Sequence, residues 1–182
     1  MTPSHKKPIA LIVVDVQNDF CPGGSLPIYN GHMIVPAINT LMGFYDFVVA
    51  TQDWHPADHC SFKALGGKWP EHCIQGAPGA DFHPELYTSQ FTHIVRKAYR
   101  NDKDALSGFK GTGLAKMLRG LGIQHVDICG LATDHCVKAT ALDAKTAGFD
   151  VSILLSACRG VAPKSTTKAI EKMRKAGIAI VS

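Results

Sequence analysis

One segment organises the chain: Val126-Asp127-Ile128-Cys129-Gly130-Leu131-Ala132-Thr133-Asp134-His135-Cys136. It begins as a short apolar run, which is typical of a buried parallel strand, and it breaks at Gly130. Thr133 and Asp134 can cap a helix, so we expect a helix over residues 135–147. Cys136 would lie in its first turn, where the helix dipole and free backbone N–H groups favour a thiolate and can hold an oxyanion. The segment therefore predicts a cysteine nucleophile rather than the small buried cysteine that is commoner elsewhere.

Apolar runs of strand length alternate with segments of helical spacing along the rest of the chain. The predicted strands are 8–14, 47–51, 92–96, 150–156 and 178–181, and the predicted helices are 33–45, 112–121 and 165–176. This alternation predicts an α/β fold: a three-layer, doubly wound, mostly parallel sheet with helices on both faces. The length of 182 residues suits a single domain over residues 1–182.

Composition argues against several classes of partner. The net charge is +4 and the densest basic group lies on the predicted helix 165–176, which is most simply a solvated face, so we expect no nucleic acid. No stretch approaches the roughly 20 apolar residues of a membrane span, so we expect no membrane contact. The six cysteines have no C-x-x-C spacing, which favours a reducing cytoplasm. A homo-oligomer is left open.

Chemically capable side chains follow the predicted strands. Asp15 comes directly after strand 8–14, Lys97 after strand 92–96, and Cys136 after the central strand. The carboxyl ends of parallel strands meet at one edge of a sheet, so we expect these residues to converge. Asp15 could take the thiol proton and Lys97 could supply a fixed positive charge, although a turn aspartate and a solvated lysine are the simpler alternatives for each taken alone. Together they predict a catalytic triad.

Asp53-Trp54-His55 predicts a metal site. Residues two apart in an extended segment point the same way, so an oxygen and a nitrogen ligand can bind one ion. His59 and His72 follow within the irregular stretch 56–90 and can complete the set. Such ligands suit one divalent ion, Zn²⁺, Mn²⁺ or Fe²⁺, and the residue types do not choose among the three. A long irregular stretch inside a compact domain is usually functional.

Three aromatic residues, Phe20, Trp69 and Tyr99, lie near these groups in the sequence. They could form the walls of a site for a flat ring, although ordinary core packing is an equally good explanation for each one.

Several motifs now point to a known family. They are Val14-Asp15-Val16-Gln17-Asn18-Asp19-Phe20, Thr51-Gln52-Asp53-Trp54-His55-Pro56, Trp69-Pro70-Glu71-His72-Cys73, Arg96-Lys97-Ala98-Tyr99 and Gly130-Leu131-Ala132-Thr133-Asp134-His135-Cys136-Val137. With them the chain resembles, over nearly its whole length, the nicotinamidases (pyrazinamidases) of the isochorismatase-like cysteine hydrolases. The resemblance implies a triad of Asp15, Lys97 and Cys136 and a metal held by Asp53, His55 and His72, with His59 a ligand in some relatives only.

The resemblance also implies a reaction and its binding site. The substrate would be nicotinamide, converted to nicotinate and ammonia through a thioester in pyridine nucleotide salvage, with pyrazinamide accepted as well. A cis peptide at Leu131–Ala132 would turn the Ala132 N–H, with that of Cys136, toward the oxyanion. Phe20, Trp69 and Tyr99 would pack the ring, and Leu131 and Ala132 would complete the substrate-binding set. Two alternatives remain: another amidohydrolase of the superfamily acting on a non-pyridine amide or carbamoyl compound, and a non-catalytic metal-binding protein on the same fold.

Overall fold

A six-stranded sheet forms the centre of the structure, a computed structural model in which residues 8–182 are described. Its strands are β1 (Ile9–Val14), β2 (Phe47–Asp53), β3 (His93–Lys97), β4 (His125–Leu131), β5 (Asp150–Arg159) and β6 (Ala179–Val181). Their order is β3-β2-β1-β4-β5-β6, and every neighbouring pair is parallel. The sheet is thus wholly parallel where the sequence predicts a mostly parallel one. Residues 1–7 of the predicted domain lie outside the described residues.

Helices cover both faces of this sheet. They are α1 (Val35–Met42), α2 (Leu114–Gly120), α3 (Lys138–Thr146) and α4 (Pro163–Lys175). The chain runs outward from β1 to β3, returns to β4 beside β1, and then runs outward the other way. Right-handed crossovers therefore place α1 on one face and the other three helices on the opposite face, where α3 packs against both β5 and α4. The predicted three-layer architecture is confirmed. Within the described residues no helix is long and apolar enough to cross a membrane.

The register of the central strands brings their carboxyl ends to one edge. Val14 at the end of β1 pairs with Thr51 of β2 on one side and with Gly130 of β4 on the other. Asp53 and Lys97 are paired across β2 and β3. The strand order reverses between β1 and β4, and in open α/β sheets the crevice outside such a reversal is where ligands bind.

Gly130 allows β4 to approach β1 closely. Its φ is +115°, and a Cβ atom there would lie 2.2 Å from the carbonyl oxygen of Val14. The β4–β5 pairing is also irregular at this point, since Ile128 pairs with Ile153 but Gly130 pairs with Cys158. The close approach brings the chain after β4 toward the end of β1.

The helix after β4 begins differently from the prediction. Residues Thr133–Val137 form one turn of π-helix ahead of α3, in which the Val137 amide donates to the carbonyl of Ala132 five residues before it; the His135 amide shares that carbonyl. The capping role predicted for Thr133 and Asp134 is wrong, since neither side chain caps the turn. The Asp134 carboxylate instead accepts hydrogen bonds from the Val161 N–H and the Ser165 hydroxyl at the start of α4.

The irregular stretch 56–90 is ordered by its own hydrogen bonds. Short 3₁₀ turns form at Lys63–Leu65, Pro78–Ala80 and Thr88–Gln90. Single bridges join His55 to Ile74 and Phe62 to Trp69, so the stretch folds back on the end of β2. No hydrophobic periodicity accompanies this folding, which is why the sequence predicts no structure there.

Candidate active site

Lys97 joins the residues that the strand ends deliver. Its Nζ lies 2.9 Å from Asp15 Oδ2, 3.0 Å from Asp53 Oδ1 and 3.6 Å from Cys136 Sγ. All four residues are buried, and Asp15 and Lys97 have no exposed surface. The sequence-predicted residues Asp15, Lys97 and Cys136 therefore lie together at the carboxyl edge of the sheet.

Asp15 is held in an uncommon backbone conformation, with φ of +48°. Its Oδ1 accepts a hydrogen bond of 2.6 Å from the Thr51 hydroxyl, while its Oδ2 faces the ammonium of Lys97. Burial raises the pKa of the Asp15 carboxyl above its ordinary value, against the opposing effect of Lys97. A carboxylate with a raised pKa is suited to accept and return a proton near neutral pH.

The Cys136 thiol is more strongly buried than the sequence suggests. Burial raises its pKa well above the ordinary value, Lys97 lowers it, and the carboxylates of Asp15 and Asp53 raise it again. Lys97 therefore favours the thiolate at Cys136, while burial and the two carboxylates favour the thiol. A nearby base would help such a thiol to ionise, and Asp15 lies beside it.

Asp53, His55 and His72 form a set that can hold a metal ion. Each offers one ligand atom, and these atoms lie within 4.8 Å of one another. His55 Nδ1 lies 3.0 Å from the carbonyl of His72, and His72 Nδ1 lies 2.8 Å from that of Pro70. A ring N–H on each Nδ1 satisfies these acceptors and leaves both Nε2 lone pairs free, as in metal-ligating histidines.

Two further observations fit an ion at this set. Asp53 Oδ1 is buried and makes no well-aligned hydrogen bond, although Lys97 Nζ is 3.0 Å away. Burial lowers the pKa of His55 to about 4, so this imidazole is neutral and able to coordinate at physiological pH. Two imidazoles and one carboxylate suit a divalent ion of the zinc, manganese or iron type.

His59 lies beside this set but has no free ring nitrogen. Its Nδ1 is 2.7 Å from Ser61 Oγ and its Nε2 is 3.2 Å from the carbonyl oxygen of Lys103. The ring packs against His55 with 4.2 Å between centroids. His59 therefore contacts both the ring of His55 and the segment after β3, and so links the two.

A cavity of about 100 Å³ opens beside Cys136 and the metal set. Of the predicted ring-binding residues, Phe20, Trp69, Leu131 and Ala132 lie in its wall. The Leu131–Ala132 peptide is cis, as the resemblance implies. Tyr99 does not reach the cavity: it is 49% exposed, because the chain after β3 turns it outward toward Gly111.

Several residues of the cavity wall were missed from the sequence. They are Leu26, Pro27, Ile28, Asp104, Leu106, His135 and Val161. His135 packs edge to face on Trp69, with 5.5 Å between ring centroids, and its place beside Cys136 was an available signal. The others lie on loops whose paths no periodicity encodes.

A buried thiol with a carboxylate and a lysine, placed where a parallel sheet reverses its strand order, is typical of a cysteine hydrolase with an α/β fold. The chain belongs to the isochorismatase family, since the profile of the isochorismatase domain matches residues 9–182.

Named relatives narrow the comparison. The chain is 44% identical to the nicotinamidase/pyrazinamidase of Mycobacterium tuberculosis over 94% of its own length and 97% of that protein. It superposes with a TM-score of 0.91 on the pyrazinamidase of Pyrococcus horikoshii in complex with zinc, at 48% identity and over 96% of this chain and 98% of that one. It superposes with a TM-score of 0.93 on PnC1 of L. infantum in complex with nicotinate, at 36% identity and over 97% and 93% of the two chains.

Proposed function

We propose that the protein is a metal-dependent nicotinamidase, which hydrolyses nicotinamide to nicotinate and ammonia and also accepts pyrazinamide. The main observation behind the proposal is that Lys97 Nζ lies 2.9 Å from Asp15 and 3.6 Å from Cys136. These residues are beside a small cavity that the metal set helps to line. The names and the bound nicotinate and zinc of the relatives support it. The product would feed the salvage of pyridine nucleotides.

The first half of the reaction forms a thioester. Asp15 removes the proton of Cys136, and the sulfur attacks the carboxamide carbon of the substrate. The N–H groups of Ala132 and Cys136 would stabilise the tetrahedral oxyanion; removing one such donor in other enzymes costs about 3–4 kcal/mol. Asp15 then gives its proton to the departing nitrogen, and ammonia leaves.

The second half releases the acid. Asp15, again a carboxylate, takes a proton from water, and the oxygen attacks the thioester carbon. The C–S bond breaks, Asp15 returns its proton to the Cys136 sulfur, and the acid formed loses its proton to solvent and leaves as nicotinate. Lys97 stays charged throughout, because the two carboxylates beside it raise its pKa well above the ordinary value against the effect of burial.

Asp53, His55 and His72 are the residues that would hold the divalent ion, for which we propose Zn²⁺ with Mn²⁺ or Fe²⁺ as alternatives. When bound, the ion supplies a Lewis-acidic position that can take a pyridine nitrogen and orient the ring. Phe20 and Trp69 would pack against the ring. Holding the substrate in position for attack in this way would raise the reaction rate.

Ammonia release by the purified, zinc-loaded protein tests the proposal. Nicotinamide and pyrazinamide should both be hydrolysed, because each has a ring nitrogen meta to the carbon that bears the carboxamide. Benzamide has the same shape without that nitrogen, so its kcat/KM should be lower by about 100-fold or more, as for a site left with an unsatisfied polar partner. The C136A variant should release no ammonia from any of them, which excludes a contaminating amidase.

Two results would contradict parts of the proposal. Faster hydrolysis of a carbamoyl compound such as N-carbamoylglycine would identify a different amidohydrolase of the same family. Equal rates for benzamide and nicotinamide would leave the amidase activity in place but would rule out coordination of the ring nitrogen.

A further inference from the structure

Asp104 is a carboxylate in the cavity wall that the proposed reaction does not use. It lies in the segment after β3 and is partly buried. Of the described residues that line the cavity, Asp53 and Asp104 are the acids. One Asp104 oxygen lies within 4.8 Å of a ring nitrogen of His55 and of His59. These three side chains are close enough to hold an ion themselves, but both ring nitrogens of His59 already face other partners. Asp104 is thus a neighbour of the set of Asp53, His55 and His72, close to one of its histidines.

The backbone on both sides of Asp104 is held by buried residues of the site. His59 Nε2 lies 3.2 Å from the carbonyl oxygen of Lys103, and Lys97 Nζ lies 3.3 Å from that of Ala105. The Ala105 N–H donates to Asp104 Oδ1 at 2.8 Å, which leaves Oδ2 available to other donors. The backbone that carries this carboxylate is therefore held by residues of the site.

The balance of charges at the metal site indicates a function for the Asp104 carboxylate. In their ionised forms Asp15, Asp53 and Lys97 sum to one negative charge, so a divalent ion would leave the buried site with one uncompensated positive charge. Such a charge is costly in a region shielded from water. A carboxylate next to His55 compensates it. Groups hydrogen-bonded to a metal's ligands commonly change its affinity by about 10–100-fold, and a nearby charge without such a bond should act at the lower end of that range.

We propose that Asp104 is an outer carboxylate of the metal site, which strengthens the binding of a divalent ion to Asp53, His55 and His72 without joining them as a ligand. The inference rests on the proposed function, because it needs that set to bind the ion. It assigns to the segment after β3 a part in retaining the metal.

Zinc affinity, measured on metal-free protein by competition with a chromophoric chelator, tests the inference without any activity assay. D104N should bind Zn²⁺ about tenfold more weakly than wild type, and D104E, which keeps the charge, should stay within about threefold. D102N is the matched control: Asp102 lies in the same segment and carries the same charge, but it is exposed and pairs with Arg100 at 3.0 Å. Its affinity should equal that of wild type.

Wild-type affinity in D104N, or an equal loss in D102N, would overturn the inference. H72A separates this from failure of the metal site: if wild type binds no zinc, or H72A binds it as tightly as wild type, the proposed ligand set is wrong as well. Melting temperatures of the metal-free variants report folding. D104S is a second charge-free variant, and it should reproduce the loss seen in D104N.

Discussion

Lys97 balances the buried charges of the site. Burial raises the pKa values of both Asp15 and Cys136, and the ammonium between them lowers both. The lysine therefore opposes burial at the base and at the nucleophile together, which keeps proton transfer between them within reach. A fixed cation can lower the pKa of both groups only if it is close to both, and Lys97 Nζ is close to both.

Asp15→Asn should separate chemistry from binding. The amide keeps the shape of the side chain but cannot accept the thiol proton, so kcat for nicotinamide should fall by about 100- to 10,000-fold. Asp15 does not line the cavity, so calorimetry should give a dissociation constant for nicotinamide within about threefold of wild type. Loss of binding with turnover near wild type would show that Asp15 is not the base.

Thr51 is expected to position that base. Its hydroxyl donates to Asp15 Oδ1 at 2.6 Å, and both residues have no exposed surface. Thr51→Val keeps the volume and removes the donor, and hydrogen bonds to charged groups contribute about 1.5–3 kcal/mol, so kcat should fall by at least about tenfold with KM little changed. Thr51→Ser keeps the hydroxyl and should recover most of the rate. If both variants lose kcat equally, the hydroxyl has no such role.

Residues at strand ends could be predicted from the sequence, and residues on loops could not. Asp15, Asp53 and Lys97 each follow or end an apolar run, and parallel pairing alone brings such positions together. Tyr99 and Leu106 lie beyond β3, where the path of the chain depends on contacts of Lys97 and His59 with its backbone. Nothing in the local pattern encodes those contacts, so Tyr99 was wrongly expected in the cavity and Leu106 was missed.

The close approach of β4 to β1 brings the chain that carries Cys136 toward Asp15, which directly follows β1. The strands themselves are predictable from their apolar runs. The π-helical turn is not, because it depends on two amides sharing the Ala132 carbonyl and on Asp134 reaching across to α4. The spacing of apolar residues predicts which face of a helix is buried, but it does not predict whether the first turn is α-helical or π-helical.

Gly130→Ala should test the close approach. The new Cβ would lie 2.2 Å from Val14 O in a backbone with φ of +115°, so overpacking and strain together should cost about 2–5 kcal/mol of unfolding free energy. Gly122 is the control, since its φ is +72° but nothing lies within 4 Å of a Cβ there. Gly122→Ala should cost only about 1–2 kcal/mol. Similar midpoints in urea for the two variants would contradict the packing argument.

The metal set connects the regular sheet with the irregular stretch 56–90. Asp53 ends β2 and His55 follows it, whereas His72 belongs to the irregular stretch 56–90. An ion bound to all three would therefore fasten that stretch to the sheet.

Removing the metal should lower the melting temperature. Saturation at 100 times the dissociation constant adds about 2.7 kcal/mol, which corresponds to about 5–10 °C for a chain of this size. Differential scanning fluorimetry of chelated protein with and without added Zn²⁺ measures the shift. H72A should show little or no zinc-dependent shift, and equal melting temperatures for chelated and zinc-loaded wild type would exclude a bound stabilising ion.

The position of β3 in the sheet has a consequence for how the protein loses activity over time. Among residues 8–182, β3 pairs only with β2 and has no strand on its outer side, and Ile94 on it is half exposed. Edge segments open transiently at a lower free-energy cost than central ones. Lys97 ends this strand, whereas Asp15 and Cys136 follow the central strands β1 and β4. Inactivation on warming or long storage should therefore begin with fraying at this border, while most of the molecule still retains its native amide-exchange protection.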